Sequence, residues 1–325
     1  MDLIEKAIQE ELKGAILKTI AFFDIFDHPL TLMEIKKYLY WPERAGSEFL
    51  TYSSISAILH CTKILNSRKI VDFKDGFYYL SGREAIVEER LRRFSHSGDK
   101  IKKAKKVIKI FKLVPWIRMA GVGNIIGSHN LKLEGDIDFF VIVRPGKIWT
   151  TRLLLNLVTM ALNLRPKKED VKDKICLSFF AAENCLDLNK YFIENDMYFY
   201  YWMAGLVPLY ERGGAYLKLI KSNGWIKKTI PNWQPIELHE ERRVELGLAG
   251  MVIGKLIGGM LFWAEPFSRG IQRKMFPLGI REKLNMGSEV VANDSLIKLH
   301  VNDRRRIYQM EWKRTVERLN NGYRI

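Results

Sequence analysis

The first eighty residues carry apolar and polar positions with the periods of a small helical domain. Apolar residues recur at helical spacing over 2–24, which predicts a first helix with one buried face. Thr31 and Glu34 have the spacing of a capping box and predict the start of a second helix, and a serine at 53 or 54 can cap a third. Two β-prone runs then flank Asp75-Gly76, a strong hairpin signal. Three helices followed by a hairpin indicate a winged helix.

Four regions follow from the pattern along the whole chain. Residues 1–82 are the winged helix, and 83–115 form a basic linker helix whose apolar stripe is clearest over 100–112. Residues 116–235 contain strand-like apolar runs, helical patterns and many aromatic residues, and so mix strands with helices. Residues 236–325 show helical patterns. The predicted fold class is therefore α+β (mixed), with a helical C-terminal region.

Composition narrows the class of protein and of partner. The chain has 325 residues, of which 47% are hydrophobic and 28% charged, which excludes a disordered or fibrous protein. Lys and Arg outnumber Asp and Glu by 53 to 37, and this excess favours polyanionic partners. Only three cysteines are present, without metal-ligand spacing, and the first residues do not resemble a secretory signal. We expect a cytoplasmic protein without a structural zinc site.

The basic region leaves two interpretations open. Residues 83–118 contain twelve Lys or Arg and four Asp or Glu. They can form a solvated linker, or a cationic wall beside a phosphate-binding site, and together with the winged helix they can contact nucleic acid. The candidate recognition helix is apolar in its middle, so a structural or protein-docking winged helix is the competing interpretation.

An Asp-hydrophobic-Asp motif carries the clearest chemistry. Asp136 and Asp138 open an apolar run that predicts a buried strand, and residues two apart on a strand point to the same face. Two carboxylates held side by side repel each other unless a cation lies between them. Mg²⁺ or Mn²⁺ prefers such oxygen ligands and bridges them to phosphates. The pair therefore predicts a metal site.

The residues around this motif resemble the nucleotidyltransferase superfamily, which includes DNA polymerase β-like and minimal nucleotidyltransferases. Its signature is a glycine turn, here represented by Gly123-Asn124 or Gly127-Ser128, followed by the two aspartates. The resemblance implies that the turn holds the phosphates of a nucleoside triphosphate (NTP) and that Asp136 and Asp138 bind its metals. It also implies a third carboxylate on a later strand, which activates an acceptor hydroxyl. A winged helix before such a domain is similar to the order in a group of bacterial proteins.

Two positions depart from that signature. Seven residues separate Ser128 from Asp136, which is shorter than the family spacing, whereas Asn124 has the family spacing but replaces Gly or Ser. The later strand, 174–181, has Ser178 as its polar position and no carboxylate, so Glu183 would have to reach the site from the following loop. Three further basic residues can contact phosphates from beyond the aspartate strand: Arg144, Lys147 and Arg152.

An apolar segment near the C-terminus allows different partners. Residues 246–264 contain one charge, Lys255, and glycines spaced by four that allow close helix packing. A central lysine is costly within a membrane, so a helix in the core or at a homodimer seam is one interpretation and contact with a membrane surface is the other.

The aspartate motif and the resemblance to nucleotidyltransferases imply that residues 116–235 are a mixed-sheet nucleotidyltransferase-like domain. They imply a Mg²⁺- or Mn²⁺-dependent enzyme that transfers a nucleoside monophosphate from an NTP to a hydroxyl acceptor. The alternative is a catalytically degenerate nucleotidyltransferase-like domain that binds nucleic acid or protein, with a membrane surface as a further partner.

Overall fold

The computed structural model describes residues 3–42, 52–123, 130–167, 169–237 and 244–323. They form a three-stranded sheet and a six-stranded sheet, with helices around both. The predicted α+β class is confirmed.

The N-terminal part has the elements of a winged helix. Its helices and strands are α1 (Leu3–Asp24), β1 (Leu30–Thr31), α2 (Leu32–Lys37), α3 (Ile55–Ser67), β2 (Val71–Lys74) and β3 (Phe77–Leu80). The sheet order is β1-β3-β2, and both pairings are antiparallel. The Thr31 hydroxyl accepts from the Glu34 amide while the Glu34 carboxylate accepts from the Thr31 amide, so the capping box is formed. Asp75 and Gly76 have the positive φ angles of the expected hairpin turn.

The basic helix is longer than the stripe at 100–112. It runs as α4 (Ala85–Phe111), and its first half is attached to the winged helix. Arg90 and Arg93 are buried there, and Arg90 donates to the Glu34 carboxylate at 2.7 Å. These arginines therefore hold the fold together, whereas exposed lysines lie further along the helix.

The larger sheet positions the candidate site. Its strands are β4 (Ile117–Val122), β5 (Ile137–Val143), β6 (Ile175–Ala182), β7 (Val207–Glu211), β8 (Val290–Ala292) and β9 (Leu296–Leu299), in the order β7-β4-β5-β6-β9-β8. Strands β5 and β6 are parallel and the other pairs are antiparallel, so the sheet is mixed, as predicted. Hairpin β8–β9 comes from the C-terminal region, where the pattern predicts helices, and joins this sheet beside β6.

Helices cover both faces of the sheet. They are α5 (Ile148–Ala161), α6 (Met197–Ala204), α7 (Ala215–Ser222), α8 (Trp225–Thr229), α9 (Leu248–Met260), α10 (Glu265–Met275), α11 (Leu278–Lys283) and α12 (Arg305–Tyr323). On one face, Phe140 and Ile142 belong to the same apolar cluster as the winged-helix core. On the other, Phe139 and Val141 pack with residues of α4 and α5. The winged helix and the sheet thus share one core.

Candidate functional site

The aspartate pair, Asp136 and Asp138, lies at the start of β5 and lines a cavity of about 610 Å³. The backbone around it is well anchored: the Gly123 amide donates to the Asp138 carbonyl at 2.9 Å. The buried Lys100 ammonium donates to the Gly135 carbonyl at 2.5 Å and pairs with Asp173. Alternation along the strand and these anchors therefore hold both carboxylates on one face, at the cavity.

The neighbouring strand contributes a thiol. Cys176 on β6 is directly opposite Asp138, and one ligand atom from each aspartate and from Cys176 lies within 4.8 Å of the others. The Cys176 thiol donates to the Ser178 hydroxyl at 3.2 Å, and Ser178 is hydrogen-bonded to His300 at 3.0 Å. Ser178 thus lines the cavity, but the residue that faces the aspartates is Cys176, which sequence reasoning missed.

The donor set fits a hard divalent cation through its carboxylates. Burial raises the pKa of Asp136, against the effects of its own backbone amide and of Lys100. Burial, followed by the charges of Asp138 and Asp136, raises the pKa of the Cys176 thiol well above its usual value. Sulfur is a soft ligand and a hard cation prefers oxygen, so the carboxylates and not the thiol are suited to Mg²⁺ or Mn²⁺. Asp136 and Asp138 can hold Mg²⁺ or Mn²⁺, with water or phosphate oxygens as the other ligands.

Basic residues of the C-terminal region line the same cavity. Lys298 on β9 is buried and donates to the Ser288 carbonyl at 2.6 Å, and burial lowers its pKa to about 8. Arg305 is buried between Asp196 and Asp303, while the neighbouring Arg304 is exposed. Two local signals were available for these residues, an Asn-Asp-Ser turn at 293–295 and the strand-like run that follows it. Neither signal indicates that the hairpin pairs with β6.

Aromatic rings form the remaining wall. Trp202 lies between Phe179 and Phe199, with ring centroids 5.2 Å from each. Tyr198 stacks on Tyr308 with a centroid separation of 5.4 Å. These rings line the cavity, so they can support a planar ligand as well as the core.

Gly123 is the described part of the predicted phosphate-binding turn. A Cβ at this position would lie 2.7 Å from Nε1 of Trp202, which is closer than real side chains approach. The position therefore requires glycine. The other predicted turn residues, Asn124, Gly127 and Ser128, lie outside the described residues.

The three basic residues after β5 are not brought to the aspartates, and we correct that expectation. Arg144 follows the last residue of β5, so a seven-residue strand of roughly 23 Å separates it from Asp136. Lys147 is buried and donates to the Phe262 carbonyl. Arg152 donates to the Gln272 side chain at 2.7 Å. The physical reason for Arg144 and Lys147 is strand direction, because residues that precede and follow a strand lie at opposite ends of it. Arg152 lies within α5 and is held there by Gln272 of α10, outside the residues that line the cavity.

Glu183 is also kept away from the aspartate pair by strand direction. It follows the last residue of β6 and pairs with Lys218 at 2.5 Å and with Arg118 at 3.4 Å. Because β5 and β6 are parallel, this end of β6 is far from the aspartate pair. Glu183 therefore does not supply the third carboxylate.

No family model, curated protein or solved structure matches this chain. The resemblance to nucleotidyltransferases thus depends on the motif and on the chemistry of the cavity alone. The cavity contains a carboxylate pair, basic side chains and aromatic rings.

Proposed function

We propose that the cavity binds an NTP with Mg²⁺ or Mn²⁺ and transfers its nucleoside monophosphate to a hydroxyl acceptor. The observation that supports this most is that Asp136 and Asp138 share one cavity with the exposed Arg304. Lys298 and Arg305 line the same cavity but are ion-paired with Asp303 and Asp196. A cation held by carboxylates, with a basic residue beside it, is complementary to a metal-bound triphosphate. The volume of about 610 Å³ is within the usual range for sites that bind small molecules.

Each part of the site has a distinct role in this proposal. Asp136 and Asp138 hold the cation, which supplies charge neutralisation at the phosphates when it is bound. Arg304 is exposed at the cavity and can orient phosphate oxygens, and the Tyr198–Tyr308 pair can stack on the base.

Activation of the acceptor is the weakest part of the site. Cys176 stands opposite Asp138, and β6 contains no Asp or Glu. The imidazole lining the cavity is His300, whose pKa is lowered to about 4 by burial and by Lys298. It is neutral at neutral pH and its Nε2 is hydrogen-bonded to Ser178, and such a low pKa makes it a weak base. We propose His300 as the base and expect slow turnover.

The test is metal-dependent binding and turnover of the four common NTPs. Wild-type protein and Asp136→Asn/Asp138→Asn would be compared by nucleotide titration and pyrophosphate release, in Mg²⁺ and in Mn²⁺. We expect the double variant to lose about 1,000-fold or more in turnover, because the cation supplies several kcal/mol of stabilisation. Glu183→Gln, at the far end of β6, is the control and is expected to behave like wild type.

The degenerate alternative predicts a different result. Exposed lysines on α4, among them Lys102, Lys106 and Lys109, favour salt-sensitive binding of nucleic acid. Such binding would survive the loss of both aspartates. Nucleotide affinity equal in wild type and double variant would reject the transferase and leave this alternative.

A cytoplasmic location is part of the proposal. All three cysteines are unpaired in the structure, as a reducing compartment allows.

A further inference from the structure

Helices α9 and α10 turn apolar side chains away from the protein. The exposed apolar face, as we call it, consists of Leu248, Val252, Leu256 and Met260 on α9, Phe262 and Trp263 between the helices, and Phe267, Ile271 and Met275 on α10. Met260, Trp263 and Phe267 are 83%, 79% and 74% exposed. So many exposed apolar side chains on two consecutive helices indicate an interaction site.

On α9 the glycines, and not the large side chains, face the protein. Gly254 and Gly258 approach Leu113 and Pro115, and a Cβ on either glycine would lie 3.4 Å from that segment. The apolar residues 248, 252, 256 and 260 follow one another at i+4, two positions away from the glycines. Two positions correspond to about 200° around a helix, so they lie on the opposite side. The glycine spacing is thus explained by packing within this chain.

Helix α10 has the reverse of the usual amphipathic arrangement. Its buried residues are the polar Ser268 and Gln272, and Gln272 donates to the Trp149 carbonyl at 2.7 Å. Its apolar residues Phe267 and Ile271 are exposed. A surface helix normally buries its apolar stripe, so this arrangement indicates a partner on the outer side.

The charges around the exposed apolar face indicate which kind of partner binds there. Residues 246–286 contain six Lys or Arg and two Asp or Glu. Of the two acids, Glu265 accepts from the backbone amides of Trp149 and Thr150, so its charge is directed inward. Lys255 is exposed and lies at the edge of this face, between the apolar row and the glycine row of α9. A lysine at the edge of an apolar face suits a lipid surface, where its stem is buried while its ammonium reaches anionic headgroups.

A second copy of the chain fits this face less well. In a two-fold symmetric contact the same patch is used on both copies, so the basic residues would approach one another. The net charge of +16 adds to that repulsion and to attraction towards an anionic surface.

The shape of the helix pair favours lying on a bilayer over crossing it. Among the described residues no single helix is long and apolar enough to cross a membrane, and α9 and α10 pass that test only together, across a bend of 81°. Phe262 and Trp263 lie at this bend and are exposed, and aromatic side chains prefer the interface between water and lipid.

We propose that the exposed apolar face docks on the surface of an anionic lipid bilayer. This inference is independent of the nucleotide site, because it uses neither the aspartate pair nor the cavity.

The test is co-sedimentation of the full chain with vesicles of phosphatidylcholine alone or with about one third phosphatidylserine. We expect binding to the anionic vesicles, and roughly tenfold loss or more for each large apolar side chain removed in Leu256→Gln/Trp263→Gln/Phe267→Gln. Lys255→Gln is expected to lose about fivefold on anionic vesicles alone. Met33→Gln/Leu91→Gln removes two exposed apolar residues elsewhere and should bind as wild type does.

Three results would overturn the proposal. They are absence of binding to anionic vesicles, equal binding of the triple variant and wild type, and dimerisation in solution that the triple variant abolishes. The last would assign the face to a second copy. Circular dichroism of each variant checks that it is folded.

Discussion

The two ends of the parallel strand pair β5–β6 carry similar residue types in different settings. At the end where both strands begin, Asp136, Asp138 and Cys176 line a cavity. At the end where both strands finish, Glu183 pairs with Lys218 and with Arg118 on β4. Glu183 is paired with two cations, whereas Asp136 and Asp138 face a cavity that is large enough for a ligand. We therefore interpret the first end as the candidate site and the second as a structural ion pair.

The difference extends to the surroundings of each end. The cavity is enclosed by buried ion pairs, such as Arg305 with Asp196 at 2.7 Å, and by stacked rings. The Lys218–Glu183 pair is partly exposed, with the lysine side chain 54% accessible. Substitutions near the cavity should therefore cost much more stability than substitutions at the far end.

The largest loss of stability is expected from Arg305→Met. Arg305 donates to Asp196 and Asp303 and to the Tyr191 carbonyl, so its removal leaves the buried Asp196 without this cation and leaves Asp303, in the cavity wall, with Lys298. Breaking such a buried cluster costs about 3–5 kcal/mol. Urea denaturation followed by tryptophan fluorescence would measure it.

The control for Arg305→Met is Arg306→Met, one residue further along and exposed. It should change the free energy of unfolding by less than about 0.5 kcal/mol. Equal losses in the two variants would show that the buried cluster is not what stabilises the cavity wall.

His300 is expected to make the free energy of unfolding depend on pH, by an amount similar to the loss in Arg305→Met. Its pKa in the folded protein is lowered to about 4, whereas the unfolded chain binds a proton near 6.5. As pH falls from 6.5 towards 4, the unfolded state therefore gains a proton that the folded state lacks, and stability decreases by up to about 3 kcal/mol. His28, whose pKa is also lowered by burial, acts in the same direction.

Denaturation of wild type and His300→Gln at pH 7, 6 and 5 isolates this contribution. The wild type should lose stability more steeply than the variant, since other titrating groups are common to both. Parallel curves would mean that His300 is accessible enough to titrate normally.

Gly123→Ala should destabilise the protein by an amount between those expected for Arg305→Met and Lys218→Met. The added Cβ would lie 2.7 Å from Trp202, whose ring is held between Phe179 and Phe199 and cannot easily move. Such overpacking costs about 1–3 kcal/mol. In Gly98→Ala, on α4, the new methyl group meets nothing within 4 Å, so that variant should be neutral or more stable by roughly 0.5–1 kcal/mol. A thermal-melting comparison that ranked Gly98→Ala below Gly123→Ala would contradict this account.

A feature could be predicted from the sequence when the residues that form it are close together along the chain. The Thr31 cap, the Asp75-Gly76 turn and the alternation of Asp136 and Asp138 depend on neighbours a few residues apart, and the structure forms all three. Lys298 and His300 reach the cavity because β9 pairs with β6, more than a hundred residues earlier. No local pattern encodes that pairing.

One of the misplaced predictions was avoidable from geometry alone. Arg144 comes after β5 and Asp136 before it, so a seven-residue strand must separate them. Cys176 could also have been identified from alternation, because Ser178 is two residues away on the same strand. The missing information there was the register between β5 and β6, which pairs Asp138 with Cys176.

The smallest loss of stability is expected from Lys218→Met, at the end of β5 and β6 that is far from the aspartate pair. The Lys218–Glu183 pair is partly exposed, so its loss should cost less than about 1 kcal/mol, and nucleotide affinity should not change. Salt provides an internal check, because screening at about 1 M reduces the Debye length to roughly 3 Å and should abolish the difference from wild type. If Lys218→Met instead weakened nucleotide binding as Asp136→Asn/Asp138→Asn is expected to, the far end would belong to the site. The distinction between a structural and a functional end would then fail.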